Sequence, residues 1–176
     1  LPNLEVHVST QAHNHNEPAI EHYKEIGCTR VVFDRESSLK SIKNLDVDIE
    51  KEVFVYGALC ICYSGNCLHS SMIGKRSGNR GKCAQPCRME YSLLENNKAI
   101  SKKKYLLSTK DLNTLEHVQE LIKLGVSSFK IEGRMKRPEY VALITSEYRK
   151  AIDQKNYKPD ILGLKKIFNR GFTDGH

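Results

Sequence analysis

The chain has 176 residues, of which 39% are hydrophobic, so it is long enough for one domain with an apolar core. Charged residues make up 28%, with 11 glycines and 5 prolines, which argues against a disordered or fibrous chain, and no run of about 18 apolar residues would span a membrane. The formal net charge of +7 favours polyanionic partners, nucleic acid above all, although a lysine-rich surface accounts for it equally well. Because the chain starts at Leu1 without a charged and then apolar leader, we expect it to begin inside a longer protein.

Two helix–strand units are predicted from apolar residues that recur at helical spacing. The first helix follows a candidate N-cap, Asn16, and stops at Gly27, with a shared apolar face of Ala19, Ile20, Tyr23 and Ile26. The second stops at Gly125, with a face of Leu112, Leu115, Val118 and Ile122. Buried strands then follow, "RVVF" before Asp34 and "SSFKIE" ending at Glu132, so that an acidic residue lies seven positions after each glycine.

Further strands are predicted at "LEVHVS", "EVFVY", "EYSLLE" and "KYLLS", and a third helix from Pro138 to Ile152. Alternating strands and helices with short connections predict an α/β fold with a mostly parallel sheet of βα units. About four to six strands are too few for a closed barrel of ~250 residues, so we expect an open sheet or an incomplete TIM-barrel-like domain. We assign this domain to residues 1–156, with a long cysteine-rich loop at 57–91, and expect a following segment to start at 157–176.

Ligands of parallel α/β folds bind beyond the carboxyl ends of the strands. The residues at those ends include Gln11, Asp34 to Glu36, Gly57 to Cys60, and Glu132 to Arg134. Asp34 or Glu36 together with Glu132 would form a carboxylate pair for general acid–base catalysis. The alternative is that these carboxylates only form salt bridges with neighbouring arginines.

Five of the six cysteines lie within the loop at 57–91: Cys60, Cys62, Cys67, Cys83 and Cys87. Disulfides suit small domains without a core, and a zinc site would combine thiolates with His69, although the usual two-residue spacing is absent. An iron–sulfur cluster needs four thiolates from two loop segments, with glycines that let backbone N–H groups approach. The spacing leaves all three alternatives open. Nearby cations, which would offset a cluster's negative charge or bind phosphate, are Arg76, Arg80, Lys82 and Arg88.

Protease signatures are incomplete in this sequence. Ser64 in "YSGN" lacks the elbow with glycine on both sides that a serine nucleophile uses. His13 and His15 are spaced so that they could ligate a metal, but no helix with a matching glutamate follows.

Four segments carry a resemblance to a known family: "STQA", "EVFVYGALCICYSGNCLHSSMIGKRSGNRGKCAQPCR", "KIEGRMKRPEYV" and "FNRGFT". In this order they resemble the collagenase-like peptidases, the thirty-second family of unclassified peptidases, and the stretch from Ser70 to Arg88 is most similar to the ribosomal-RNA-type members. Two departures stand out: Tyr56 occupies a position where the family commonly has histidine, and "AHNHN" is richer in histidine than is usual, which suggests surface residues.

The resemblance implies that the chain is the later part of a barrel-like catalytic domain. It implies more than one possible function, because members of the family differ in what they do. Some members serve hydroxylation of transfer or ribosomal RNA, and others hold a four-iron cluster through four cysteines. By similarity the cluster ligands here are Cys60, Cys67, Cys83 and Cys87, with zinc as the alternative and Cys62 as a packed thiol.

We therefore expect a cytoplasmic RNA-modifying protein, assisted by an anionic metabolite such as prephenate. Glu132 would handle protons, Tyr56 and Tyr63 could stack on a base, and the substrate- or RNA-binding residues would be Gln11, Arg76, Arg80, Arg88, Arg134 and Arg137. A collagenase-like peptidase is the second expectation, and a binding module with a structural metal is the third.

Overall fold

The computed structural model describes residues 4–175. The strands are β1 His7–Val8, β2 Arg30–Val32, β3 Glu50–Ala58, β4 Tyr91–Glu95, β5 Lys98–Lys104, β6 Asp111–Asn113, β7 Val126–Ile131 and β8 Phe172–Thr173. The helices are α1 Glu17–Glu25, α2 Leu39–Lys43, α3 His69–Gly74, α4 Val118–Lys123, α5 Pro138–Asp153 and α6 Ile161–Lys166.

Six of these strands form one mostly parallel sheet, which confirms the predicted α/β class. β1, β2 and β3 are consecutive parallel neighbours, and β7 pairs in parallel with residues 51–56 of β3. β2 and β6 both pair with the edge of β3 that faces away from β7. β2 pairs with residues 50–52 of β3, whereas β6 runs antiparallel to residues 56–58, with Gly57 opposite Leu112. β8 joins β6 in parallel, and the described strands leave the sheet open.

The helices form where the sequence supplies caps and apolar faces. The Asn16 side chain accepts a hydrogen bond from the Ala19 N–H at 3.0 Å, which caps α1 as predicted. α5 starts at Pro138 as predicted, and the face that it buries against the sheet comprises Tyr140, Ile144, Glu147, Tyr148 and Ala151. The core between helices and sheet is completed by side chains such as Ile20, Val31, Phe33, Val55, Val118 and Leu164.

Two predicted elements differ in the structure. Leu112 lies in β6 and not in a helix, because Asp111–Asn113 pairs with both β3 and β8, and helical structure starts only at Leu115. The prediction of a strand at "KYLLS" is wrong. The strand in this part of the chain is β5, which lies earlier, at Lys98–Lys104, and forms a separate hairpin with β4. Asn96 and Asn97, both with positive φ, form the hairpin turn and so fix which residues pair.

The last part of the chain contributes to the same sheet and core. Leu164 of α6 is 1% exposed, and β8 pairs with β6. No helix in residues 4–175 is both long and apolar enough to cross a membrane.

A cysteine-lined candidate site

The cysteine segment, which we define as residues 57–91, leaves β3 at its carboxyl end and borders a cavity of about 990 Å³. This cysteine cavity is lined by Cys60, Cys62, Cys67, Cys83 and Cys87. The segment consists mostly of turns, but it also contains the short helix α3, which the sequence pattern did not predict. The carboxyl ends of strands β3 and β7 lie at the cavity, as expected for a parallel α/β sheet.

The thiols of the cysteine segment lie close enough to influence each other's ionisation. The pKa of Cys87 is raised by burial, and its neighbours Cys60, Cys83 and Cys67 add to this because their thiolates would repel it, whereas Arg88 acts in the opposite direction. The pKa of Cys62 is also raised by burial, and further by Cys67 and Cys60. Cys87 therefore lies near the other three members of the predicted quartet, and Cys62 lies near two of them, Cys67 and Cys60.

The sulfur atoms are nevertheless spread over several ångströms. Among residues 4–175, no three of them lie within 4.8 Å of one another. A closed tetrahedral zinc site with Zn–S bonds of about 2.3 Å needs sulfurs ~3.8 Å apart. The sulfurs are therefore not gathered into a closed zinc site.

Arg88 fixes the far end of the cysteine segment. Its guanidinium donates to the backbone carbonyls of Leu59 and Thr109, each at 2.6 Å, and to the Ser108 hydroxyl at 2.8 Å. Burial lowers the pKa of Arg88, and the neighbouring Arg170 adds to the effect. With most of its donors engaged inside the protein, Arg88 is placed to position the segment more than to contact RNA.

Glu36 fixes the near end of the segment. Its carboxylate accepts hydrogen bonds from the Ser64 N–H at 2.5 Å and the Ser64 hydroxyl at 2.9 Å, and that hydroxyl also accepts from the Arg35 N–H. Gly65 has φ +79°, and a Cβ there would lie 2.1 Å from the Gln11 carbonyl, so this close approach requires glycine. Glu36 and Gln11, predicted as catalytic and substrate-binding residues, thus both contact the segment directly.

Glu132 lines the cavity and follows immediately after β7. Its N–H donates to the Tyr56 carbonyl at 2.8 Å, and its carboxylate accepts from the Arg134 N–H at 3.0 Å. The Arg134 guanidinium donates to the Gly81 carbonyl and so links the chain after β7 to the cysteine segment.

The cavity is strongly cationic. Glu132 is the one carboxylate among its described lining residues, whereas the cations are Arg35, Arg76, Arg88, Arg134, Lys136 and Arg170. Burial lowers the pKa of Lys136; the nearby carboxylate of Asp111 acts in the opposite direction, while Arg170 and Arg88 add to the lowering. An anion entering the cavity would relieve this mutual repulsion.

The sequence pattern placed Arg35 at the strand ends only as a salt-bridge partner, and it did not predict Lys136 or Arg170 as members of the site. Arg170 belongs to "FNRGFT", part of the segment predicted to follow the domain, and forms a 3.0 Å ion pair with buried Asp111. The sequence did contain a signal for Lys136 and Arg170, because both lie in segments that carry the family resemblance.

Other predicted residues lie at or beyond the rim of the cavity. Asp34 and Glu36 line a separate cavity of about 440 Å³, apart from Glu132. Arg80 and Arg137 are exposed, in a turn of the cysteine segment and just before α5. Tyr56 is 1% exposed and packs among aromatic rings, so a stacking role is wrong for Tyr56, whereas Tyr63 is 67% exposed and lines the cavity.

The fold and site define a mixed α/β protein with a cysteine-lined, cationic cavity at the carboxyl ends of parallel strands. The chain belongs to peptidase family U32, whose model matches residues 1–176.

The relatives carry two kinds of name. The chain is 42% identical to a tRNA hydroxylation protein of Bacillus subtilis, over 94% of the chain and 41% of that protein. It is 40% identical to a 23S rRNA 5-hydroxycytidine synthase of Escherichia coli, over 87% of the chain and 24% of that protein. It is 33% identical to a collagenase of Porphyromonas gingivalis, over 98% of the chain and 47% of that protein. The chain therefore spans less than half the length of these relatives, and the identities do not separate ribosomal-RNA-type from transfer-RNA-type members. No solved structure matches the chain significantly.

Proposed function

We propose that this chain is part of an RNA-hydroxylation protein of family U32 that acts in the cytoplasm. The observation that carries the proposal is the cysteine cavity, whose lining combines five cysteines, four of them the predicted quartet, with six cations. Relatives named for tRNA and rRNA hydroxylation point to the same class of reaction.

We assign an iron–sulfur cluster to Cys60, Cys67, Cys83 and Cys87. No three of the described sulfurs are close enough for a closed zinc site, which favours a larger group such as a four-iron cluster, and the arginines that line the cavity would offset its negative charge. The Gln85 N–H already donates to the Cys83 sulfur at 3.3 Å, and Gly78 lies against Cys83, as expected where backbone approaches a cluster ligand. When bound, such a cluster would supply the electron transfer that side chains do not provide.

The chain's own residues would bind and orient the RNA. Arg76 and Arg134 line the cavity, exposed Arg80 lies beside it, and together they would contact phosphates, which gives binding its salt dependence. Exposed Tyr63 would stack on a splayed base, and Glu132 would exchange protons with the bound nucleotide. An anionic metabolite of the prephenate type would occupy the remaining cationic part of the cavity, near Lys136 and Arg170.

We further propose that the open sheet is part of a barrel of βα units. β1, β2, β3 and β7 are parallel and follow one another across the sheet, which is the strand order of such a barrel. A structure of the full-length protein tests this, and a strand order that reverses beyond β1 or β7 would exclude it.

The second candidate function is a peptidase, which the collagenase relative favours. Ser64 is an unsuitable nucleophile, because it is 2% exposed and its hydroxyl is bonded to Glu36 and the Arg35 N–H. A hydrolytic role would have to rest on other groups. The third candidate is a binding module in which the metal is only structural.

Mass spectrometry of nucleosides tests the proposal. RNA is digested from cells that lack the full-length protein, produce it, or produce a Cys87→Ser or Cys28→Ser variant. Cys28 packs against the hydrophobic core and serves as the matched control. We expect a hydroxylated uridine or cytidine with the wild type and Cys28→Ser, and its loss with Cys87→Ser.

Three outcomes would contradict the proposal. Identical nucleoside profiles with and without the protein would exclude RNA hydroxylation. Release of peptides from collagen by the purified protein would favour the peptidase. Salt-sensitive RNA binding without any new nucleoside would favour the binding module.

A further inference from the structure

We propose that His13, His15 and Asp34 form a binding site for a divalent first-row transition metal ion, separate from the cysteines. One ligand atom from each of these residues lies within 4.8 Å of the others, and among residues 4–175 no other group of three such side chains does so. Two imidazoles and one carboxylate form a donor set that suits zinc or ferrous iron and leaves coordination positions open.

Asp34 is held with one oxygen directed at both histidines. Its side chain is 2% exposed, and Oδ1 accepts a hydrogen bond from the Ser37 hydroxyl. Oδ2 lies 3.4 Å from Nδ1 of His13 and 3.5 Å from Nδ1 of His15. In metal sites, a hydrogen-bond partner outside the ligand set commonly holds one carboxylate oxygen while the other oxygen faces the metal position.

The two imidazoles have free nitrogens. Nδ1 of His13 is buried without a hydrogen-bond partner, which costs free energy unless something binds it. Nδ1 of His15 lies 2.9 Å from the His13 carbonyl, and the tautomer that donates there leaves the Nε2 lone pair free to bind a metal. In that tautomer the 3.5 Å distance from Asp34 to Nδ1 locates the ring beside the carboxylate and is not a distance between two ligand atoms. Metal-bound histidines commonly donate their other N–H to a carbonyl in this way.

The backbone between the histidines is fixed before any metal binds. Asn14 is fully buried, and its amide donates to the carbonyls of Ser9 and Val32, each at 2.9 Å. His13 adopts the left-handed conformation with φ 59°, which turns the chain so that the two rings are 4.3 Å apart. Such a strained, over-determined position is typical of ligand sites.

The charges around the site favour a cation. Asp34 carries one negative charge, and Glu36 lies 3.9 Å from Nδ1 of His13 while it also holds Ser64 of the cysteine segment. The alternative is that Asp34 only pairs with protonated histidines, in which case no metal would bind.

Cobalt titration of tag-free, full-length protein tests the proposal. Co²⁺ bound by nitrogen and oxygen gives weak visible bands, whereas cobalt on thiolates adds an intense near-ultraviolet band that reports the cysteines separately. We expect His15→Ala and Asp34→Asn to bind one Co²⁺ fewer, or at least about tenfold more weakly, with the sulfur band unchanged. His22→Ala, which removes an exposed imidazole from α1, should bind cobalt as the wild type does.

His15 is exposed, so its alanine variant should fold, and far-ultraviolet circular dichroism confirms this before titration. Equal cobalt stoichiometry and affinity in the wild type, His15→Ala and Asp34→Asn would overturn the proposal. Wild-type cobalt that appears only through the sulfur band would overturn it as well. Neither result depends on RNA hydroxylation, so this proposal and the proposed function fail separately.

Discussion

Gly57→Ala should destabilise the protein strongly, because β3 passes very close to Glu132 at this position. A Cβ on Gly57 would lie 2.6 Å from the Glu132 carbonyl oxygen and 2.9 Å from its Cβ. The φ of +109° adds a strain of about 1–2 kcal/mol for a non-glycine residue, and forcing the backbones apart adds about 1–3 kcal/mol. We therefore expect a loss of about 2–5 kcal/mol in the free energy of unfolding, a large share of the ~5–15 kcal/mol of a typical domain.

Gly27→Ala is the matched control for this prediction. Gly27 has a similar φ of +92°, but a Cβ there would meet nothing within 4 Å, so only the strain of about 1–2 kcal/mol should appear. Urea unfolding, monitored by circular dichroism, gives the loss in the free energy of unfolding for both variants. The comparison holds if the dependence of that free energy on urea concentration is the same as in the wild type. Equal losses in the two variants would refute the argument that the contact with Glu132 requires glycine at position 57.

Three further changes test other contacts in the structure. Burial would raise the pKa of Glu52, but hydrogen bonds from Lys130 and Ser128 hold it below its ordinary value. Glu52→Gln should therefore cost about 1–2 kcal/mol in urea unfolding at pH 7, and the difference from the wild type should vanish as the pH falls through the lowered pKa. Tyr148→Phe should cost about 1–3 kcal/mol in the same assay, because the buried hydroxyl donates to the Val55 carbonyl at 2.6 Å. Arg88→Met should free the cysteine segment, so limited proteolysis should cut within residues 59–90 several times faster.

Each of these three predictions can be contradicted by a specific result. A Glu52→Gln loss that stays constant down to pH 2 would show that the charge is not responsible. Tyr105→Phe, at a tyrosine that is 61% exposed, should have little effect, and an equal loss there would contradict the role of the buried hydroxyl. Unchanged cleavage in Arg88→Met would show that other contacts hold the segment.

The sequence was sufficient where local signals and burial agree. The cap at Asn16, the start of α5 at Pro138 and the acidic residues after β2 and β7 are all found where the pattern predicted them. Apolar spacing failed at Leu112, because β3 and β8 supply strand partners that no local window contains.

The candidate site was only partly predictable for a similar reason. The cysteines were visible as a cluster, but the contact of Glu36 with Ser64 joins residues that are far apart in sequence. Arg170 reaches the cavity because β8 pairs with β6, a pairing that two short strands do not reveal. The spacing of His13 and His15 allowed a metal site, but nothing in the sequence showed that buried Asp34, about twenty residues later, lies within 3.5 Å of both rings.

Iron, sulfide and zinc analysis of anaerobically purified protein, with a visible absorption spectrum, tests the central claim most directly. We predict about four irons and four sulfides per chain, lost in Cys83→Ala and retained in Cys62→Ser, because Cys62 lies outside the quartet. Stoichiometric zinc in the wild type would contradict the claim, and so would iron that is lost equally in both variants.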